Sequence, residues 1–275
     1  MTAWAERTLR CPICGADGER TADGRSFFCH GARRHCYDFA KSGYLNLSRE
    51  GKSGDARAAV RARSAFLSAG YYDPLRDRVC EILHELGAET VLDAGCGEGY
   101  YTDRMAAGRH AMGIDLSRDG IDHAAREARR TGSGAFFAVG SLFELPVADG
   151  AFDAVTSLFA PCAEDEFCRV LRGNGHLLLV GAGEEHLMGL KQVLYETPRT
   201  NLGRADLPTR MSLCRRERLR YEITVEGEET VDALFSMTPY YWRTSESDRA
   251  KLCGLAELRT VCDFDIFLYG KDQTL

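Results

Sequence analysis

Asp93-Ala-Gly-Cys-Gly-Glu-Gly99 places three glycines at alternate positions behind one carboxylate. Glycines so spaced let a backbone turn tightly and approach a bound molecule with no Cβ in the way. The spacing is D-x-G-x-G-x-G, not the G-x-G-x-x-G of dinucleotide sites, and the chain has no G-x-x-x-x-G-K-[ST] phosphate loop. A carboxylate heading the loop suits a cationic ligand better than a pyrophosphate. That points to S-adenosylmethionine, whose amino-acid end carries an ammonium and a sulfonium. Asp93, Gly95, Gly97, Glu98, Gly99 and Tyr100 are the candidate contacts on the loop. Asp115, 22 residues after Asp93, falls about where a ribose-binding carboxylate does in doubly wound sheets. Ser141 and Leu142, at the end of a later apolar run, complete that face of the site.

A second cluster has metal chemistry. Cys11-Pro-Ile-Cys14 is a C-x-x-C knuckle, and Cys29-His-Gly-Ala-Arg-Arg-His35-Cys36 supplies further ligands. Thiolates and an imidazole at these spacings suit tetrahedral zinc, with Cys11, Cys14, Cys29 and His35 as the chosen set and Cys36 as the competitor for His35. His30 is set aside because it adjoins Cys29. Four protein ligands make a closed, structural site. A redox C-x-x-C would open a helix after a strand, whereas this one precedes a glycine-rich stretch, Gly15 to Gly18. Size gives the reason for a metal, since some 40 residues bury too small a core of their own.

The elements that must hold these groups are legible around them. Thr90-Val-Leu92 reads as a buried strand before the glycine loop, and Tyr100 to Met105 as the helix after it. Residues 110–115, 135–140, 152–159 and 176–181 read as further strands, with a helix over 118–130. Strands alternating with helices imply an α/β fold, a mostly parallel sheet with ligands at the carboxyl ends of its strands. Tyr221 to Val225 and Phe264 to Tyr269 read as the last two strands, the second antiparallel, making seven in all. Three regions are expected: a zinc-binding module over 1–45, a linker and helical region over 46–80, and a methyltransferase domain over 81–275. Ser48 to Gly54 has linker composition, and Ala56 to Leu67 has helical propensity with Arg57, Arg61 and Arg63 along it, as a phosphate-facing strip or a solvated face.

The net charge of −6 hides an asymmetry: residues 1–64 carry +5 and residues 65–275 carry −11. A basic segment on an acidic chain hints at a polyanionic partner. No apolar run approaches the 18 or so residues of a membrane span, and the N-terminus lacks a signal-peptide core. Eleven cysteines scattered through an α/β pattern fit a cytoplasmic enzyme with reduced thiols.

Taken together, these residues resemble the 23S ribosomal RNA guanine-N1 methyltransferases, the RlmA family, which includes tylosin-resistance relatives. The matching segments run nearly end to end: Cys11 to Cys14, Cys29 to His35, Tyr37 to Tyr44, Gly70 to Asp77, Leu92 to Thr102, Phe159-Ala-Pro-Cys162, His186 to Lys191, and Met237-Thr-Pro239 with Trp242-Arg243. The resemblance implies a zinc-binding module on a class I methyltransferase domain, often dimeric. It implies methyl transfer from S-adenosylmethionine to N1 of a guanine in a domain II hairpin of 23S rRNA. By position it makes Tyr72, Gly97, Glu98 and His186 cofactor contacts. The stretch from Cys29 to His35 looks two residues longer than the family pattern, which keeps Cys36 in competition.

Such a reaction needs the base splayed from its stack and held in near-attack geometry, with an acceptor for the N1 proton. The segment ending the fourth strand should line that pocket: Phe159 could stack on the base, and a carbonyl near Pro161 could bond its edge. No general base is evident. The module, with Phe27, Phe28 and Tyr37, is expected to grip RNA or brace a homodimer. The competing readings are a small-molecule methyltransferase with a structural zinc module and a non-catalytic RNA-binding protein; the Met-Thr-Pro match opposes the first and the intact loop the second.

Overall fold

The computed structural model describes residues 2–49 and 57–271. Residues 50–54 of the linker stretch and Ala56, the expected start of the first large helix, lie outside them.

The chain opens with α1 (Ala3–Thr8), capped by the Thr2 hydroxyl, which accepts from the Ala5 amide. Strands β1 (Gly18–Arg20), β2 (Ser26–Cys29) and β3 (Cys36–Asp38) form an antiparallel sheet in that order. Next come β4 (Leu45–Asn46), α2 (Arg57–Ser68), α3 (Asp73–Glu85), β5 (Thr90–Ala94), α4 (Tyr100–Met105), β6 (His110–Asp115), α5 (Arg118–Thr131) and β7 (Phe136–Val139). The remainder is β8 (Phe152–Leu158), α6 (Glu164–Val170), β9 (Leu171–Ala182), α7 (Met188–Leu194), β10 (Met211–Glu226), α8 (Glu228–Ser236), a 3-10 turn (Pro239–Trp242), α9 (Glu246–Arg249), a second 3-10 turn (Ala250–Leu252) and β11 (Glu257–Lys271).

The second sheet runs β10-β11-β9-β8-β5-β6-β7-β4. Pairing is parallel from β9 through to β4, and antiparallel where β11 joins β9 and β10 joins β11. Every residue of β5 is buried, as a parallel strand covered on both faces requires. Strand order reverses between β5 and β8, so the crevice at their carboxyl ends is the switch point where such sheets bind ligands. The glycine loop leaves β5 there, and Phe159 to Cys162 leave β8 there.

The sheet has eight strands, not the expected seven. Leu45 and Asn46 pair with Ala138 and Val139, and fully buried Leu45 covers an edge that would otherwise expose β7. A two-residue strand is too short for any periodicity to reveal. The last two strands are also longer than expected, at 16 and 15 residues, and the basic run Arg215 to Arg220 lies inside β10.

Helix α5 shows how local sequence places the cofactor face. Ser117 caps its start by accepting from the Gly120 amide, and left-handed Gly132 ends it. Ile121, Ala124, Ala125 and Ala128 fall on one buried stripe. The N-terminal segment shares its core with the large sheet: Ala5, Leu9 and Phe27 pack with Leu92, Met112 and Phe152, and Trp4 stacks on His110 at 5.1 Å. Among the described residues, no helix is long and apolar enough to cross a membrane.

Candidate active site and metal centre

Gly95, Gly97 and Gly99 all take left-handed backbone conformations, at φ +82°, +55° and +82°. A Cβ on Gly95 would fall 2.4 Å from that of Ala160, so the end of β8 closes directly over the loop. Asp115 ties the loop from the other side: its carboxylate accepts from the amides of Gly97 at 2.9 Å and Ser117 at 2.7 Å. Asp93 is buried and accepts from the hydroxyls of Thr102 at 2.5 Å and Thr156 at 2.9 Å. Burial pushes its pKa up to about 6, against the pull of those two hydroxyls. Asp93 therefore braces the loop's flanks through side-chain hydroxyls.

Glu98 is buried against Arg63 of α2, with 2.5 Å between Oε2 and Nε. Arg57 reaches Asp119 at 3.3 Å, so two of the three arginines weighed as a phosphate-facing strip or a solvated face are engaged within the chain. Tyr100 turns its hydroxyl to Asp73, and the Arg76 guanidinium lies 5.3 Å from its ring centre, which commits that side chain to α3. Leu142 is buried, with a methyl 3.5 Å from where a Cβ of Gly95 would sit, and the Ser141 hydroxyl accepts from the Phe143 amide at 3.3 Å.

Tyr72 and His186, 114 residues apart, meet at 3.1 Å between Oη and Nε2. His186 Nδ1 lies 3.3 Å from the Asp263 amide, which donates to it. Burial pushes the imidazole down to about 4, so at neutral pH the ring is uncharged. With Nδ1 accepting, the ring proton sits on Nε2 and is donated to Tyr72. Asp263 carries the turn that presents His186: its carboxylate accepts from the Glu185 amide at 2.9 Å and from Arg218 twice at 2.7 Å. The Arg218 bond holds the Asp263 carboxyl below its ordinary range. Asn201 secures the same turn, its Nδ2 donating to the carbonyls of Gly183 at 2.9 Å and His186 at 3.1 Å.

Phe159 has φ +58°, a left-handed conformation rare for a bulky residue, and leaves its ring 46% exposed. Phe264 is the hub beneath, 5.7 Å from the Phe159 ring, 4.8 Å from His186 and 5.1 Å from Tyr72. The Pro161 carbonyl is engaged at 3.3 Å by the Ser157 hydroxyl, which also reaches the Ala160 carbonyl at 3.1 Å. The sequence reading missed Thr102, Thr156, Asn201, Asp263 and Phe264. Threonines facing a buried carboxylate carry no linear signature, and Asp263 and Asn201 lie far along the chain from the residues they hold. The hydroxyl of Tyr101 was missed too; it is buried without a partner among the described residues.

At the other end of the chain, the ligand atoms of Cys11, Cys14, Cys29 and His35 all lie within 4.8 Å of one another. Cys29 Sγ and Cys11 Sγ are each 3.5 Å from His35 Nδ1, and Cys14 Sγ is 3.6 Å from Cys29 Sγ. Tetrahedral zinc with bonds of about 2.3 Å to sulfur and about 2.1 Å to nitrogen would give edges of about 3.6–3.8 Å. The donor set is compatible with zinc. The Tyr37 hydroxyl adds a bond to Cys11 Sγ at 3.1 Å. Cys36 is exposed in β3 and stands outside the group.

The crevice likewise fits S-adenosylmethionine, given a left-handed glycine loop, a carboxylate ending β6 and a buried phenol with no partner among the described residues. Fold and site together define a class I S-adenosylmethionine-dependent methyltransferase carrying a Cys3His cluster. Residues 91–176 match the family model described as a methyltransferase domain. A Bacillus subtilis (strain 168) protein named as a candidate 23S rRNA (guanine-N(1)-)-methyltransferase is 33% identical over 282 residues, spanning 94% of this chain and 96% of its own. One from Micromonospora griseorubida, named likewise, is 31% identical over 92% of this chain and 93% of its own. The 23S rRNA (guanine(748)-N(1))-methyltransferase of Streptomyces fradiae is 33% identical over 68% of each. The chain belongs to the family of 23S rRNA (guanine-N1)-methyltransferases.

Proposed function

We propose that the protein transfers the methyl group of S-adenosylmethionine to N1 of a guanine in a domain II hairpin of 23S rRNA. The observation that carries this reading is Phe159: a half-exposed ring, held left-handed at the end of β8, next to the Ala160 that meets the glycine loop. A splayed guanine stacked on that ring would present its edge toward the crevice. Bound there, the cofactor supplies an electrophilic methyl on a sulfonium. With it bound, the N1–C bond would form as the S–C bond breaks, the N1 proton would pass to water, and S-adenosylhomocysteine would be the product. The chain's part is to fix the two reactants in line.

The cofactor contacts in this reading are Tyr72, Asp115, Ser141, Leu142, His186 and the loop from Asp93 to Tyr100, with Asp93 and Tyr100 acting through Thr102, Thr156 and Asp73. Residues 1–45 serve as a zinc-stabilised RNA grip, 46–80 as the connection, and 81–275 as the catalytic domain. A groove of about 950 Å³ between β2, the residues after β3 and α5 supports the grip, because Arg25, Lys41 and Arg129 line it. The protein acts as a homodimer in the cytoplasm, where its ribosomal substrate is.

Incubating unmodified 23S rRNA with protein and cofactor, then analysing the digested nucleosides by mass spectrometry, should yield 1-methylguanosine. A different methylated nucleoside, or none with cofactor binding intact, would overturn the assignment, and methylation of small molecules alone would favour the competing enzyme reading. RNA affinity should fall steeply with salt if the groove contacts phosphates.

A further inference from the structure

Tyr101 is the second residue of α4, directly behind the glycine loop. Its hydroxyl is buried and has no hydrogen-bond partner among the described residues. A buried O–H left unpaired destabilises a fold, and native structures keep few of them. Tyr72 supplies a second such donor. Its oxygen accepts the Nε2–H of His186, whose other nitrogen is taken by the Asp263 amide, so the Tyr72 hydrogen is left over. Both phenols belong to one buried cluster with Phe66, Leu158 and Phe264. Burial pushes both phenols well above their usual pKa, so both keep their hydrogens.

Two O–H donors whose hydrogens have no acceptor among the described residues make a place for an atom that offers only lone pairs. The cofactor's ammonium is a donor, its sulfonium is a cation, and its ribose hydroxyls both give and take hydrogen bonds. Its carboxylate is acceptor-only and charged, a stronger acceptor than the neutral ribose ring oxygen and adenine ring nitrogens. We propose that Tyr101 and Tyr72 form the subsite for the carboxylate at the cofactor's amino-acid end, and that Tyr101 retains its hydroxyl for that contact alone. The inference rests on the cofactor and not on the RNA acceptor.

The test compares two ligands by calorimetry. S-adenosylhomocysteine has the amino-acid end; 5′-methylthioadenosine shares the nucleoside and thioether and lacks it. Tyr101→Phe should weaken S-adenosylhomocysteine by about 10-fold or more, as loss of a bond to a charged group does, and leave 5′-methylthioadenosine within about twofold. The unliganded variant should melt no lower than the wild type, because the lost hydroxyl had no partner. Unchanged S-adenosylhomocysteine affinity, equal losses for both ligands, or a destabilised unliganded variant would each overturn the proposal. No RNA enters the measurement, so failure of the rRNA assignment and failure of this one are read separately.

Discussion

Asn201 and His186 are joined at 3.1 Å, the Asn201 side-chain amide donating to the His186 carbonyl. The oxygen of the same amide accepts from Lys191 at 2.6 Å and from the Tyr240 hydroxyl at 2.8 Å. One side chain thus fastens the Met237 to Trp242 segment, and with it the largely exposed Trp242, to the turn that presents His186.

Asn201→Ala should therefore cost about 2–3 kcal/mol in urea unfolding, since it strips a partner from buried Lys191 and leaves the buried His186 carbonyl without its partner. It should also weaken cofactor binding through the loosened His186 turn. A loss under about 0.5 kcal/mol would show that the turn holds itself.

Acid should act through His186 in a defined direction. Its folded pKa, about 4, lies below the ordinary 6.5. Above pH 6.5 the ring is neutral folded or unfolded; as pH falls toward 4 only the unfolded chain takes up the proton, and stability is lost. The contribution should shrink by about 2 kcal/mol between pH 7 and pH 4.5. Asp93 runs the other way, because its folded value of about 6 exceeds 3.8, so its contribution is present at low pH and lost as pH rises through 6. Comparing wild type with His186→Gln at both pH values isolates the first effect. A stability gap that does not narrow on acidification would contradict a buried, neutral imidazole.

Phe159 should show stability and activity pulling apart. Glycine tolerates φ +58°, so Phe159→Gly should unfold later than Phe159→Ala by about 1 kcal/mol. Both should lower kcat/KM on RNA by about tenfold or more, the scale of one stacked base, while S-adenosylhomocysteine affinity stays unchanged. Full activity in either variant would remove Phe159 from the base site.

Metal analysis should find one zinc per chain. Cys29→Ala should abolish it and lower the melting temperature, because the Cys3His cluster holds the β1–β3 sheet whose Phe27 enters the main core. Cys36→Ser should retain the metal. Loss of the metal in Cys36→Ser would exchange His35 for Cys36 in the ligand set.

The central α/β pattern was readable because its signals are local: an apolar run into three alternate glycines, then Asp115 ending the next apolar run. The Cys3His set was readable for the same reason, in its close spacing. Only the Tyr221 to Val225 end of strand β10 was, because the arginine-rich run before it looks solvated. In the structure those arginines meet Glu85, Asp263 and Asp265 on neighbouring elements. The His186 support was equally hidden, since Asp263 and Arg218 act across strands that only tertiary pairing brings together. Tyr100 and Tyr101 are adjacent and alike in sequence, and only the fold distinguishes the one bonded to Asp73 from the one left unpartnered.

The most direct test of the central claim is primer extension across domain II of unmodified 23S rRNA after incubation with the protein and S-adenosylmethionine. A methyl at guanine N1 blocks Watson–Crick pairing and halts reverse transcriptase. A new, cofactor-dependent stop at one hairpin guanine, weakened by Phe159→Ala, is the predicted result. An unchanged ladder from protein that binds S-adenosylhomocysteine tightly would contradict it.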